Sequence, residues 1–348
     1  MRKRIICILM CLCLVFSTQV TAFAENNYPR TVPEFYRIAD GISELLSEFA
    51  GLFSLKKKYP DCHPLCDIPD IDKDFVPQGF CYIESLNMFA VSSYSAEDEN
   101  SIVSLIDAQN GKRIKTVRLV YEDGDPCFAH VGGIADIGDS LIISSGKAVR
   151  RLKINDVMVT EDYGYVKYCG KLATDMQASY VCSYNTHLFV GQFYSFTLDG
   201  TYDTPTEQRI FTPSGKRNYA MCEEFDLSNL DKVFSDGKAV PLRVISMPNS
   251  VQGIAYDGKT FVTSSSYTFN NASKIRYYTF SQSEMSFNIN STDVPLYFIE
   301  ESKAEKTVSI PPMSEGIDFY NGKITGIFES GANKFNYAGV RTPYVCIF

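Results

Sequence analysis

The chain has no tryptophan and only three histidines in 348 residues. The first absence removes the indole platforms on which sugar-binding grooves stack their ligands, although 22 tyrosines can substitute. The second means that a three-histidine metal site requires His63, His130 and His187 to converge from distant parts of the chain. His-Glu-x-x-His, a phosphate-cradling glycine loop and a Gly-x-Ser-x-Gly elbow are all missing, so no complete catalytic signature exists. Positive charge is scarce as well: 33 Lys and Arg face 41 Asp and Glu, for a formal charge of -8. With no basic stripe, the surface repels phosphate backbones, which argues against nucleic acid as a partner.

What is present begins with a targeting pattern. Arg2, Lys3 and Arg4 precede an apolar run over residues 5–16, and Ala22-Phe23-Ala24 is a small-x-small cleavage site. Residues 1–24 therefore read as a signal peptide, and the protein as secreted or cell-envelope associated. The apolar run is short for a bilayer span, so no transmembrane anchor is expected after cleavage. Cleavage removes three positive charges and moves the formal charge from -8 to -11. That excess suits solubility first, and also a cationic partner or calcium. Eight cysteines remain: Cys62, Cys66, Cys81, Cys127, Cys169, Cys182, Cys222 and Cys346. An even number in an oxidising compartment permits disulfides. Cys62 and Cys66 are the one close pair, able to bridge locally or clamp the N-terminal segment, while several others fall in apolar strand patterns and read as buried thiols.

Residues 25–66 read as a leader followed by a helix over 33–58. There Ile38, Ile42, Leu45, Leu46, Phe49, Leu52 and Phe53 recur at helical spacing, with acids early and Lys56-Lys57-Lys58 at the end. Residues 67–348 behave differently. Five copies of a short pattern appear: Gln78-Gly79-Phe80, Gly132-Gly133-Ile134, Gln177-Ala178-Ser179, Gln252-Gly253-Ile254 and Glu315-Gly316-Ile317. Each is followed by a turn and a second apolar run, most of them ending in small polar residues, as in Ser92-Ser93, Ser144-Ser145 and Ser264-Ser265. A repeat made only of short strands predicts the blades of an all-β, five-bladed β-propeller. The repeat glycines or their equivalent are 54, 45, 75 and 63 residues apart, and the long third gap points to a surface insertion near 197–216. A sixth blade would need an unrecognised repeat inside 180–250. The last blade shows three strands only, so its fourth is expected from residues 67–75, closing the ring by strand exchange between the chain ends.

Propeller inner strands line a central channel. The residues preceding the repeat glycines thus form a collar of Gln78, Gly132, Gln177, Gln252 and Glu315. Such a collar can be a self-satisfied amide network holding water, or a site for a metal, calcium foremost, or an ammonium group. Glu315 is the one acid in it. His130 lies two residues before its repeat's key position and is expected to face the same cavity. Glu329, with Glu97, Asp98 and Glu99, is expected on a shared rim, and Asp125 in the crossover from blade one to blade two. Gln78, Gln177, Gln252, Glu315, Asp125 and Glu329 are accordingly the candidate ligand-binding residues, with Glu315 and His130 the catalytic candidates if the protein is an enzyme.

The stretch 76–119, VPQGFCYIESLNMFAVSSYSAEDENSIVSLIDAQNGKRIKTVRL, resembles the opening repeat of the plant-type glutaminyl cyclotransferases. The shared features are the Gln-Gly pair, a serine-containing strand end, a serine-led third strand and an Asp…Gly-Lys turn. That likeness implies a secreted five-bladed propeller that cyclises N-terminal glutamine. The family's glutamate at the end of the second strand is replaced here by Ser92-Ser93, and its Phe-Gly-Glu-Gly by His130-Val131-Gly132-Gly133. Pro77-Gln78-Gly79, His130-Val131-Gly132-Gly133, Pro311-Pro312-Met313-Ser314-Glu315-Gly316 and Glu329-Ser330-Gly331-Ala332 resemble a group of secreted five-bladed propellers from Gram-positive bacteria, which implies export and blade count but carries no activity. The residues favour a binding or interaction propeller whose partner is an extracellular protein, peptide or small molecule. The alternative is a secreted propeller enzyme, a lactone or ester hydrolase or a glutaminyl cyclotransferase-like protein, using a glutamate at the channel mouth.

Overall fold

Short apolar runs separated by tight turns fold into five antiparallel sheets arranged as a five-bladed β-propeller. The computed structural model describes residues 51–52, 54–196, 204–266, 268–279 and 285–348. The signal peptide, the leader and most of the helix expected over 33–58 lie outside them; residues 54–58 are helical. Blade one holds β2 (Phe75–Ile83), β3 (Met88–Ser95), β4 (Ile102–Asp107) and β5 (Arg113–Val120). Its β4–β5 turn forms because Asp107 accepts hydrogen bonds from the backbone of Gln109 and Asn110, while Gly111 supplies the left-handed φ of 73° that closes the turn.

Blade two holds β6 (Ile134–Ile137), β7 (Ser140–Ser145), β8 (Ala148–Lys153) and β10 (Lys171–Ala173), and blade three β11 (Tyr180–Tyr184), β12 (His187–Gly191), β13 (Ala220–Asp226) and β14 (Arg243–Met247). Blade four holds β15 (Val251–Tyr256), β16 (Thr260–Ser265), β17 (Ser273–Thr279) and β20 (Lys306–Ile310). Two connections run outward and cover a neighbour's edge. Strand β9 (Tyr165–Lys167), from the insertion before β10, adds in parallel to β5 of blade one. The hairpin β18 (Ser286–Ile289) and β19 (Thr292–Phe298), from the insertion before β20, adds in parallel to β14 of blade three. Both additions satisfy an outer row of backbone groups that would otherwise face solvent.

Blade five is β21 (Ser314–Tyr320), β22 (Lys323–Phe328) and β23 (Tyr344–Ile347), completed by β1 (His63–Asp67) paired antiparallel to β23. Strand exchange between the chain ends is therefore present, but the closing strand lies earlier than residues 67–75. Those residues instead hold a 3-10 turn, Ile71–Lys73, flanked by Asp70 and Asp74 at positive φ. The buried Asp70 carboxylate accepts from Tyr163 and Thr116, tying this link to blade one, so the segment anchors rather than pairs.

Five apolar layers lie between adjacent blades, among them Val103 and Leu141 between blades one and two, Val190 and Val149 between two and three, and Val262 and Ile324 between four and five. Each sheet is covered on both faces, which is why its strands read as nearly continuous apolar runs rather than strict alternations. At the axis the inner strands β2, β6, β11, β15 and β21 meet in a ring. A Cβ on Gly316 would sit 2.4 Å from the Phe80 nitrogen, and one on Gly79 2.5 Å from the Ile134 nitrogen. The glycines are the condition for that approach. None of the eight cysteines described forms a disulfide; Cys62 and Cys346 are buried in the same layer with their side chains in contact.

Deletion through Asp67 should expose the edge of β23 and lower thermal stability by more than any truncation ending before Ser54. Gly316→Ala should cost about 1–3 kcal/mol, the usual penalty of overpacking. Gly146→Ala, whose added Cβ meets nothing within 4 Å, should cost less despite its positive φ. Thermal melts of the two truncated proteins and chemical denaturation of the two glycine variants measure these effects.

Candidate functional site at the channel mouth

The inner strands all begin at one end of the channel, and three of the five collar residues are set there by the same device. Gln78 is the extra residue of a β-bulge between Pro77 and Gly79, Gln252 of one between Val251 and Gly253, and Glu315 lies in the irregular stretch between Ser314 and Ile317. A bulge frees a residue from the ladder and re-aims its side chain. The result is two amide–carboxyl pairs. Gln252 Nε2 donates to Glu315 Oε1 at 2.9 Å, and Gln78 Nε2 donates to Glu329 Oε1 at 2.5 Å. Glu329 follows β22 and turns in over the channel, leaving Glu97, Asp98 and Glu99 exposed on the rim.

The two acids share a poorly solvated space. Burial, followed by the charge of Glu329, drives the Glu315 carboxyl well above the usual range. Burial raises Glu329 to about 7, opposed by the Gln78 hydrogen bond and the nearby Lys334 ammonium. Lys334 Nζ donates to the Tyr94 hydroxyl at 2.9 Å and lies 4.8 Å from the centre of that ring. The His130 ring stacks on Tyr94 with centroids 4.0 Å apart. It is open to solvent at the mouth yet walled by protein on most sides, and burial, then Lys334, lowers its pKa to about 4. The Lys334 ammonium thus links the acid pair to the stacked Tyr94 and His130 rings.

The remaining candidates are placed apart from this pair. Gln177 and His130 line a cleft of about 500 Å³ on the blade-two side, together with Tyr121, Lys147, Arg150 and Lys171. Asp125 is exposed in the crossover turn, where its carbonyl accepts from the Tyr121 amide. His63 and His187 do not join His130; His187 Nδ1 lies 2.7 Å from Glu224. The collar turns its amide hydrogens, not its amide oxygens, toward the acids, an arrangement suited to a carboxyl pair rather than to calcium.

Further down the channel lie two acids the sequence reading passed over. Asp318 accepts from the Tyr82 and Phe319 amides at 2.8 and 2.7 Å and is raised to about 7 by burial. Asp136 is raised to about 6, again chiefly by burial. Both follow a repeat glycine by two or three residues on an inner strand, a signal that was available. Tyr94 and Lys334 carried no comparable signal. A further feature needed the topology. All four exposed phenylalanines among the described residues, Phe128, Phe196, Phe211 and Phe269, lie in connections on the channel-mouth face, as does Tyr337. Phe269 and Tyr337 pack edge to face at 5.2 Å, and Phe196 meets Tyr219 at 4.6 Å.

No protein-family model and no curated protein matches the sequence. Among solved structures, the chain is similar to Myxococcus xanthus glutaminyl cyclase at 10% identity and a TM-score of 0.42, covering 82% of this chain and 94% of that one. It is also similar to Kuenenia stuttgartiensis hydrazine synthase (12% identity, TM-score 0.33, 69% and 52% covered) and to Citrobacter koseri AztD (13%, 0.30, 72% and 56%). The blade count stands on the chain's own five sheets, and no activity passes across at these identities. Among the described residues, no helix is long and apolar enough to cross a membrane.

The raised carboxyls have a consequence for stability. A carboxyl whose folded pKa exceeds its unfolded value binds its proton more tightly in the native state, so its contribution falls as pH rises toward the folded value. His130, lowered, works in the opposite direction below its ordinary value of 6.5. From about pH 6.5 to about pH 8 the carboxyls act alone, and the melting temperature should fall. Glu329→Gln should flatten that fall while leaving the shape of the site almost unchanged, as followed by circular dichroism melts across the pH range.

Proposed function

We propose that this chain is an exported binding propeller that takes its ligand on the channel-mouth face. The observation that carries this reading is the gathering of all four exposed phenylalanines of the described structure on the face that also holds the buried Glu315–Glu329 pair. Exposed aromatics around a desolvated polar centre supply what a recognition surface needs: large rigid contact area at low entropic cost, and a few directional groups that fix orientation. With acids, amides and a phenol at the centre, the fitting ligand is an extracellular protein, peptide or small molecule that projects a hydrogen-bond donor into the mouth. The signal peptide read at residues 1–24 supports secretion or residence in the cell envelope.

A second reading has its own support. Glu329 near neutrality beside a Glu315 held protonated is a pair of acids pushed to different strengths, the arrangement general acid–base chemistry uses. On that reading Glu315 and Glu329 exchange protons with the substrate and the Gln78 and Gln252 amides orient them, in ester or lactone hydrolysis or N-terminal cyclisation.

Screening the purified mature protein on peptide and glycan arrays separates the two. The binding reading expects a ligand whose affinity drops about tenfold or more, roughly 1.4 kcal/mol, with Phe269→Ala or Tyr337→Ala. Tyr184→Ala, at the opposite end of the channel, should leave affinity unchanged. Binding that depends on Tyr184 and not on Phe269 overturns the assignment of the face. Turnover of ester, lactone or glutaminyl-peptide substrates that Glu315→Gln abolishes would move the protein to the second reading.

A further inference from the structure

Away from the channel, a buried carboxyl has no side-chain partner. Glu223 in the middle of β13 is 1% exposed, and only the Asp175 backbone N–H stands against its carboxyl, with no side-chain donor in reach. Two amide oxygens on neighbouring segments are orphaned outright, Gln192 Oε1 and Gln208 Oε1, on residues 3% and 6% exposed. The ladder explains the first juxtaposition. Val190 sits opposite Glu223, and the Gln192 amide continues the pairing by donating to Met221, so Gln192 and Glu223 are diagonal neighbours on one face of β12–β13. That face carries Met221 and Phe225 into the layer between blades two and three. Gln208 arrives from the insertion loop: its Nε2 donates to the Asp175 carbonyl at 3.4 Å, which orients the amide with its oxygen left over. Asp175, in the β10–β11 turn, is the charged neighbour of Glu223 and is held by Asn290 at 3.2 Å.

Everything left unsatisfied here is an oxygen. Protonating Glu223, which burial favours, supplies a single donor, so at least one of the two amide oxygens stays bare. Two carboxylates and two amide oxygens, with no thiol or imidazole, form a hard donor set whose charge matches a dication. We propose that a calcium ion binds between blades two and three, held by Glu223, Gln192, Gln208 and Asp175. The ion ties the insertion loop bearing Gln208 and the β10–β11 turn to the central strand of blade three. Because the same insertion carries Phe211, calcium also fixes one aromatic of the channel-mouth face.

The test uses the mature protein stripped with chelator. Calorimetric titration with calcium chloride should give one ion per chain. Thermal melts should rise with calcium, the folded-to-unfolded ratio gaining about a hundredfold when calcium is about a hundredfold above its dissociation constant. Glu223→Gln should abolish both responses, and in chelator should melt at or above the wild-type temperature, because its amide removes a titrating buried carboxyl and brings two donors to a site of bare oxygens. Gln208→Ala should keep the fold and weaken calcium binding about tenfold. Absence of heat and of any melting shift up to about 10⁻³ M calcium, the weakest class of protein calcium sites, overturns the proposal and assigns the space to water. A calcium response undiminished in Glu223→Gln overturns it as well.

Discussion

Backbone-to-backbone contact among five inner strands is the constraint on which the rest of this molecule depends. With Gly316 against Phe80 and Gly79 against Ile134, the strands approach closer than any side chain allows. The approach sets the channel's width, and the width sets how far the collar side chains are from solvent. Gln78, Gln252 and Glu315 each leave the strand ladder just before such a glycine. Close packing at the axis and the bulge that precedes it are therefore one structural unit, and the polar pairs at the mouth are its product.

The chain manages its buried acids in two ways. At the mouth each carboxyl is given a neutral donor: Gln252 for Glu315, Gln78 for Glu329. A neutral amide satisfies an oxygen without cancelling its charge, so burial still dominates and the proton is retained. Asp70 shows the other solution. It too is buried, but Tyr163, Thr116 and Lys73 all donate to it, and these bonds hold it below the usual carboxylate range. The contrast separates a structural acid, which fastens the link between β1 and β2, from acids left poised for a ligand or a proton.

Sheet edges receive similar treatment. Blades one and three each take a parallel strand from an insertion in the next blade, and blade five takes β1 from the start of the chain. The insertions that lengthened the apparent repeat are thus part of how the sheets end. The blade-four insertion lengthens its spacing to 63 residues, whereas the widest spacing, 75, comes from the connection between β12 and β13.

The sequence by itself determined the blade number, the inner strands and the collar. Glycine at the point of closest approach and a short apolar strand on either side are local requirements, and local requirements are written at fixed spacing. It also put Glu315 beside the channel and His130 near it. Only tertiary structure decided which residues meet across the repeat: Gln78 with Glu329, 251 positions apart, His130 with Tyr94, and Gln208 with the Asp175 carbonyl. Those meetings depend on bulges, on loop paths and on the angle between blades, none of which leaves a periodic trace. The closing strand falls between the two cases. Its need was legible from the missing fourth strand, but its position at His63–Asp67 was not, because an edge strand with exposed and half-buried residues lacks the apolar pattern that marks the interior ones.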